Sequence, residues 1–279
     1  MKKFDYFRPQ SLKELFSIYD ENSAILAGGT DLLVDLRSGK KSFNKVIDIK
    51  GIEEFYGIRK ANAGVEIGAC ETFSNILNSK ILNKFTALKQ AAGCMGCYEI
   101  RNRATIGGNI CNSSPGCETG VVLSVYEATV NVCGKNGKRK VPFEEFCVGV
   151  NKTSLKRGEV VLSIFIPEIK NSKSFYSRIS RTQGMDLACW NGAILVINPE
   201  NPRRRKIRMS FGTVAPTPFR DKEVEKNLSN KKLTQKDIDM AFEEICKKIS
   251  PRASSLRATP EEKKLAIKNF MNDILGNLP

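Results

Sequence analysis

Two pairs of adjacent glycines are the residues in this sequence best placed to do chemistry. The first lies in LAGGTDLL, residues 26–33, where an apolar run ends at Gly28-Gly29-Thr30-Asp31 and another begins at once. The second lies in RATIGGN, residues 103–109, and the polar loop Asn112-Ser113-Ser114-Pro115-Gly116 follows it. A tight turn explains one such pair. The alternative is backbone without side chains, whose N–H groups let an anion, a phosphate above all, come close. Neither pair forms G-x-G-x-x-G, so a standard dinucleotide crossover is not implied.

A third feature is Cys94-Met95-Gly96-Cys97, a C-x-x-C. With Cys111 and Cys117 a four-thiol metal or cluster site can be drawn. A single C-x-x-C is only half of such a site, and buried thiols that behave as small apolar groups explain it equally, so no metal site is assigned. The chain has nine cysteines and no histidine. That excludes Ser-His and Cys-His pairs, histidine metal ligands and a flavin linked through histidine. No residue is singled out as a catalytic acid, base or nucleophile, which leaves the chemistry to a bound cofactor.

The chain that must position these residues has 279 residues, 41% of them apolar and 27% charged, enough for one large domain or two. Its formal charge of +15, from 45 Lys and Arg against 30 Asp and Glu, favours an anionic partner: nucleic acid, an anionic cofactor or an acidic protein. The basic residues are scattered. The densest run, Arg203 to Lys206, reads as a solvated loop entering a strand, so nucleic acid is not expected. The start MKKFDYFRPQSLKEL has no apolar core behind its lysines, and no run of eighteen apolar residues occurs. A cytoplasmic protein with reduced thiols is expected, with no membrane partner.

Ser11 and Glu14 form a capping box ahead of a helix with Leu12, Leu15, Phe16 and Tyr19 on its apolar side. A buried strand is expected over 23–28, a short helix over 31–39 closed by Gly39, and a second strand over 45–49. The first glycine pair then sits at a strand-to-helix joint, where the unpaired N–H groups and positive end of the helix dipole favour an anion. Further expectations are a strand over 65–68, a helix in two pieces over 71–93, a strand-like approach into Gly107-Gly108, and a helix in GVVLSVYEA. Strands flank the GKNG turn (134–137), and 159–167 reads as a buried strand. Strands near 175–181, 192–198 and 206–214 precede two helices. Thr234 caps the first, with Ile238, Ala241, Phe242, Ile245 and Ile249 inward. Thr259 caps the second, which has Pro260 at its start, Gly276 at its end and Leu265, Ile267, Phe270, Ile274 and Leu275 inward. The fold class is α+β, with a polar boundary at 167–174.

In order and spacing, LAGGTDLL, IRNRATIGGN, EVVLSIFIP, RISRTQGMDLA, SFGTVAPTPFR and ISPRASSLRA resemble the FAD-binding medium subunit of the molybdenum hydroxylases, over the whole chain. The last two look most like the bacterial xanthine dehydrogenase flavoprotein. The resemblance implies a two-lobed FAD-binding domain similar to the p-cresol methylhydroxylase type over 1–168, with lobes of about 1–55 and 56–168. A smaller α+β domain of the carbon monoxide dehydrogenase flavoprotein C-terminal type would follow over 174–279. It places non-covalent FAD against Leu26, Ala27, Gly28, Gly29, Thr30, Asp31 and Leu32, whose N–H groups wrap the pyrophosphate. Thr105, Gly107, Gly108 and Asn109 face it from the other side, with Ser113 and Ser114 within reach. Met95 falls near a position that contacts the flavin ring, and Val161 lies in a strand that supplies an apolar contact. Two positions depart from the family: Glu118, at a ribose or pyrophosphate-side contact, stands where aspartate is usual and is one methylene longer, and Arg178 stands where lysine is common near the ring. Arginine keeps the charge but not the geometry, and it does not readily lose its proton.

The resemblance further implies electron transfer from iron–sulfur clusters through FAD to NAD⁺ or another acceptor. The partners would be a small subunit with [2Fe–2S] clusters and a large molybdopterin-binding subunit, in a hetero-hexamer of three chain types. This chain shows neither a four-cysteine [2Fe–2S] pattern nor a pterin site. Two other classes stay open on the residues alone: a free-standing FAD oxidoreductase, and a flavin-free basic binding or assembly protein.

Overall fold

The computed structural model describes residues 2–182 and 184–279; Met1 and Gln183, the latter inside RISRTQGMDLA, lie outside the described residues. The chain opens with β1 (Asp5–Phe7), α1 (Leu12–Ile18), β2 (Ser23–Leu26), α2 (Leu32–Arg37) and β3 (Lys45–Asp48). The central β3 pairs in parallel with both β1 and β2. Ser11 caps α1 by accepting the Glu14 N–H, while the Glu14 carboxylate accepts from Gln10, one residue before the cap. This return bond shifts the expected box by one residue.

A second lobe follows: β4 (Ile58–Ala61), β5 (Gly64–Gly68), α3 (Phe73–Asn78), α4 (Thr86–Gly93), α5 (Tyr98–Arg101), α6 (Ile106–Asn112) and α7 (Glu118–Val125). It continues through β6 (Thr129–Gly134), β7 (Gly137–Pro142), α8 (Phe143–Phe146), β8 (Cys147–Gly149), β9 (Lys152–Thr153) and β10 (Glu159–Pro167). The five-stranded sheet runs β4-β5-β10-β6-β7, antiparallel throughout. The GKNG hairpin joins β6 to β7, and the segment over 71–93 divides into α3 and α4 as its sequence indicated.

The last part contains β11 (Ser172–Ile179), β12 (Trp190–Ile197), β13 (Lys206–Gly212), α9 (Lys222–Leu228), α10 (Gln235–Lys248) and α11 (Pro260–Leu275). Because β11 begins at Ser172, the polar stretch between the two parts narrows to residues 168–171. Thr234 and Thr259 each complete a capping box, with Asp237 and Glu262 respectively. Leu265 is not inward as its spacing suggested: it is 57% exposed, on the solvent side of α11. Arg205, in the basic run expected to be solvated, is fully buried and donates to the Pro199 carbonyl.

The β11–β12–β13 sheet is covered on both faces, which is why β12 is apolar along most of its length. Ala193 and Leu195 join the core of the first part, while Ile194 and Val196 pack with α9 to α11. On β11, Ser174 accepts the Tyr126 hydroxyl, and the Tyr176 N–H donates to the Gln90 side chain at 3.0 Å. Helix α7 is buried at all eight positions, its polar Glu118, Thr119 and Ser124 included, because it lies between α4 and the strands β12 and β13. The Ser124 carbonyl at its end accepts the Glu127 N–H at 3.0 Å, and two arginines supply further donors to the last carbonyls. Arg220 donates to Ser124 O at 3.0 Å and Arg208 to Val125 O at 3.2 Å. Arg220 also pairs with Glu225 at 2.7 Å, Glu127 at 3.0 Å and Glu144 at 2.9 Å.

Arg220→Met leaves buried Glu225 and the Ser124 carbonyl without their cation. It is expected to lower unfolding stability in urea by about 3 kcal/mol. An unchanged midpoint would show that α7 is held without this arginine.

Candidate functional site

Strand β2 runs beside β3 with Leu26 opposite Asp48, and it delivers the chain into the first glycine pair. Gly28 lies against the backbone of the second lobe: a Cβ there would stand 2.1 Å from Arg103 O and 3.0 Å from Ala104 Cα. Gly29 has φ +79°, in the left-handed region that glycine tolerates. Leu33 donates back to Gly29 O at 3.1 Å, so α2 starts inside this turn. Among the described residues the N–H groups of Gly28, Gly29, Thr30 and Asp31 have no hydrogen-bond partner. Since α2 has only six residues, its dipole adds little; the donors are the loop amides themselves.

The second pair is built differently from the strand-like approach its residues suggested. Thr105 is the N-cap of α6, and its hydroxyl accepts the Gly108 N–H at 3.1 Å. Ile106 donates to Glu71 O at 3.0 Å, Gly107 to Ala69 O at 2.9 Å and Asn109 to Thr105 O at 2.9 Å. The N–H groups of this loop are therefore already committed to the protein. Gly107 is needed for packing, since a Cβ would lie 2.6 Å from Ala69 O. Gly108 is exposed, and a Cβ there would meet only Thr105 Oγ1, at 3.0 Å. What this pair presents to a ligand is bare surface rather than donors.

Asn112 Nδ2 reaches Asp31 Oδ2 at 3.3 Å, which ties the first loop to the end of α6. Asn109 Oδ1 accepts from Thr119 Oγ1 at 2.5 Å and Cys117 Sγ at 3.0 Å, connecting α6 to the start of α7. Glu118 and Arg178 meet there across the domain boundary. Arg178 Nη1 donates to Cys94 O at 2.6 Å and lies 3.3 Å from Glu118 Oε1, and Nη2 donates to Asp186 O at 2.9 Å. Both side chains are buried, so Arg178 is not a surface cation. Met95, half-buried, follows Cys94 directly. Burial pushes the Glu118 carboxyl up to about 7, against the opposing effects of its own N–H and of Arg178. The arginine offsets burial only in part, because its shorter hydrogen bonds go to carbonyls.

Three expected residues stand apart from this line of contacts. Val161 is buried in the core opposite Val132, and the carbonyl of the neighbouring Leu162 accepts the Ala69 N–H. The Ser113 hydroxyl is committed to Gly149 O at 2.9 Å and Lys152 O at 3.0 Å. Ser114 Oγ accepts the Gly116 N–H. The drawn four-thiol set does not form: among the described residues no group of three or more His, Cys, Asp or Glu could hold a metal ion. Burial pushes the Cys111 and Cys117 thiols up to about 12, far from the thiolate a metal needs.

Several site residues were not read from the sequence. The C-terminal part grips the 114–116 loop through Asn191 Nδ2 on Gly116 O at 3.1 Å and the Thr213 N–H on Pro115 O at 2.7 Å. Thr213 lies in SFGTVAPTPFR, so that motif carried a signal. Tyr176 follows from alternation along β11: it shares a face with Arg178, and its buried hydroxyl has no partner among the described residues.

The fold and site define a two-part protein whose first part brings loop amides, unpartnered among the described residues, close to bare glycine surface. Residues 2–169 match the FAD binding domain in molybdopterin dehydrogenase, and residues 174–278 match the CO dehydrogenase flavoprotein C-terminal domain. The chain belongs to the FAD-binding subunits of the molybdenum hydroxylase family of oxidoreductases. It is 31% identical to the glyceraldehyde dehydrogenase medium chain of Sulfolobus acidocaldarius, over 96% of this chain and 97% of that one. It is 29% identical to the xanthine dehydrogenase FAD-binding subunit of Escherichia coli O157:H7, over 97% and 94%. A solved carbon monoxide dehydrogenase of Hydrogenophaga pseudoflava superposes with a TM-score of 0.92 at 27% identity, covering 99% of this chain and 97% of that one.

Folded Glu118 holds its proton more firmly than the unfolded chain does. Its stabilisation is full below about 4.5, the ordinary carboxyl value, and is lost as pH rises through about 7. Glu118→Gln, which cannot ionise, should therefore unfold at higher urea than the parent at pH 8, by up to about 3 kcal/mol, and show no gain at pH 4.5. An equal gain at both pH values would contradict burial as the cause.

Proposed function

We propose that the chain is the electron-transfer subunit of a divided molybdenum hydroxylase, taking electrons from a partner's iron–sulfur clusters and passing them to a soluble acceptor, with NAD⁺ the leading choice. The observation that carries this reading is the set of four amides, Gly28 to Asp31, unpartnered among the described residues, in a loop packed against the chain that leads into the bare Gly107-Gly108 pair. These residues fit FAD: a diphosphate needs several convergent donors, and only backbone without side chains lets it come close. When bound, FAD supplies the step between one-electron clusters and a two-electron acceptor.

In this reading Leu26 to Leu32 hold the diphosphate. Thr105, Gly107, Gly108 and Asn109 form the opposite wall, Glu118 stands at a ribose or pyrophosphate-side contact, and Arg178 and Met95 line the ring end. Ser113 and Ser114 shape the intervening loop, and Val161 supports it from the core. Substrate oxidation belongs to a large molybdopterin subunit, and the clusters to a small one. The relatives called medium chains favour a division into three chain types, and we take the assembly to be a hetero-hexamer. The positive charge of this chain suits an acidic small subunit. No helix of the described residues is long and apolar enough to cross a membrane, which is compatible with a cytoplasmic complex.

The purified chain should take up FAD that heat then releases. Gly108→Ala isolates the cofactor effect from folding, because its Cβ meets only Thr105 Oγ1. Folding stability should stay within about 1 kcal/mol of the parent, while FAD affinity falls about tenfold or more. Unchanged FAD affinity would remove this wall from the site. A protein that never takes up FAD would overturn the reading.

A further inference from the structure

The donors of the first loop are useful only if its peptide planes face the right way, and one side chain outside both glycine motifs fixes the first of them. Lys50 lies just past β3, in the turn Ile49–Gly51. Its Nζ donates to Ala27 O at 3.0 Å and pairs with Asp48 Oδ1 at 2.8 Å. Asp48 is buried and accepts the Tyr6 hydroxyl at 2.6 Å and the Lys50 N–H at 3.0 Å. Burial works against ionisation of Asp48, yet Lys50 and Tyr6 outweigh it and hold the carboxyl below its usual range. The ammonium is thus both neutralised and held in place.

A trans peptide is planar, with its C=O and N–H on opposite sides. Anchoring the Ala27 carbonyl on Lys50 therefore turns the Gly28 N–H away from Lys50, to the side where no protein group meets it among the described residues. It also draws the Ala27 oxygen, which would repel a diphosphate, off that side. We propose that Lys50 is a positioning residue for the cofactor diphosphate, acting through the Ala27 carbonyl to fix the peptide plane that presents the Gly28 N–H. Because Asp48 already balances its charge, Lys50 acts by orientation and not as a free cation. The proposal rests on the reading of residues 26–32 as the diphosphate cradle.

The test measures FAD affinity by quenching of flavin fluorescence, and ADP affinity by competition, on the full chain. Lys50→Met, which keeps the stem and removes the donor, should weaken both ligands about tenfold. Lys50→Arg, which keeps a donor, should stay within about threefold of the parent. A merely structural lysine would lower the thermal midpoint and leave both affinities of the folded protein unchanged, and that result overturns the proposal alone. A parent chain that binds neither FAD nor ADP overturns the cradle and the proposal together. Should Lys50→Met fail to fold, Lys50→Gln, too short to reach Ala27 O, takes its place with the same two outcomes.

Discussion

Gly28 and the carbonyl of Arg103 are so close that not even one carbon fits between them. That contact brings the two lobes of the flavin-binding part together, and the rest of the site depends on it. It sets the first loop beside the start of α6, where Asp31 can meet Asn112 and Asn109 can pass the connection on to Thr119 and Cys117. It also divides the work between the two glycine pairs. The first pair leaves its amides without protein partners among the described residues; the second commits its amides to the lobe and presents a bare face. Equal-looking motifs do opposite things because one ends a parallel strand and the other begins a capped helix.

The place where Arg178 meets Glu118 and Cys94 is an interface between the two parts of the chain. Helix α7 brings Glu118 to the boundary at one end, while Arg208 and Arg220 from the C-terminal part hold its other end. Arg178 crosses the same boundary to Cys94 and Glu118. Its guanidinium fork holds two carbonyls and a carboxylate at once, which a single ammonium would do less firmly. A change that loosens the boundary therefore moves Glu118, Arg178 and the Cys94 carbonyl together.

Much of this was readable in the sequence where the controlling interactions are local. The boxes at Thr234 and Thr259 lie within four residues of chain, and GKNG sets its own hairpin. The first glycine loop could be recognised because an apolar strand, two glycines and a helical pattern follow one another without a break. The rest was decided by distant partners. Thr-Ile-Gly-Gly reads like a strand until Glu71 and Ala69 accept its N–H groups and Thr105 caps a helix. Arg205 reads as solvated until the Pro199 carbonyl receives it in the interior. Lys50 looks ordinary because its acceptor, Ala27 O, lies 23 residues away. The four cysteines have spacings that permit a cluster, but no such grouping forms among the described residues.

Amide exchange resolved by residue, with and without FAD, tests the central claim most directly. Binding should slow exchange at Gly28, Gly29, Thr30 and Asp31, whose N–H groups have no protein acceptor among the described residues. Exchange at Ile106 and Gly107, already bonded to Glu71 and Ala69, should hardly change. FAD binding that protects Ile106 and Gly107 while leaving residues 28–31 unchanged would contradict the account and move the diphosphate to the second loop.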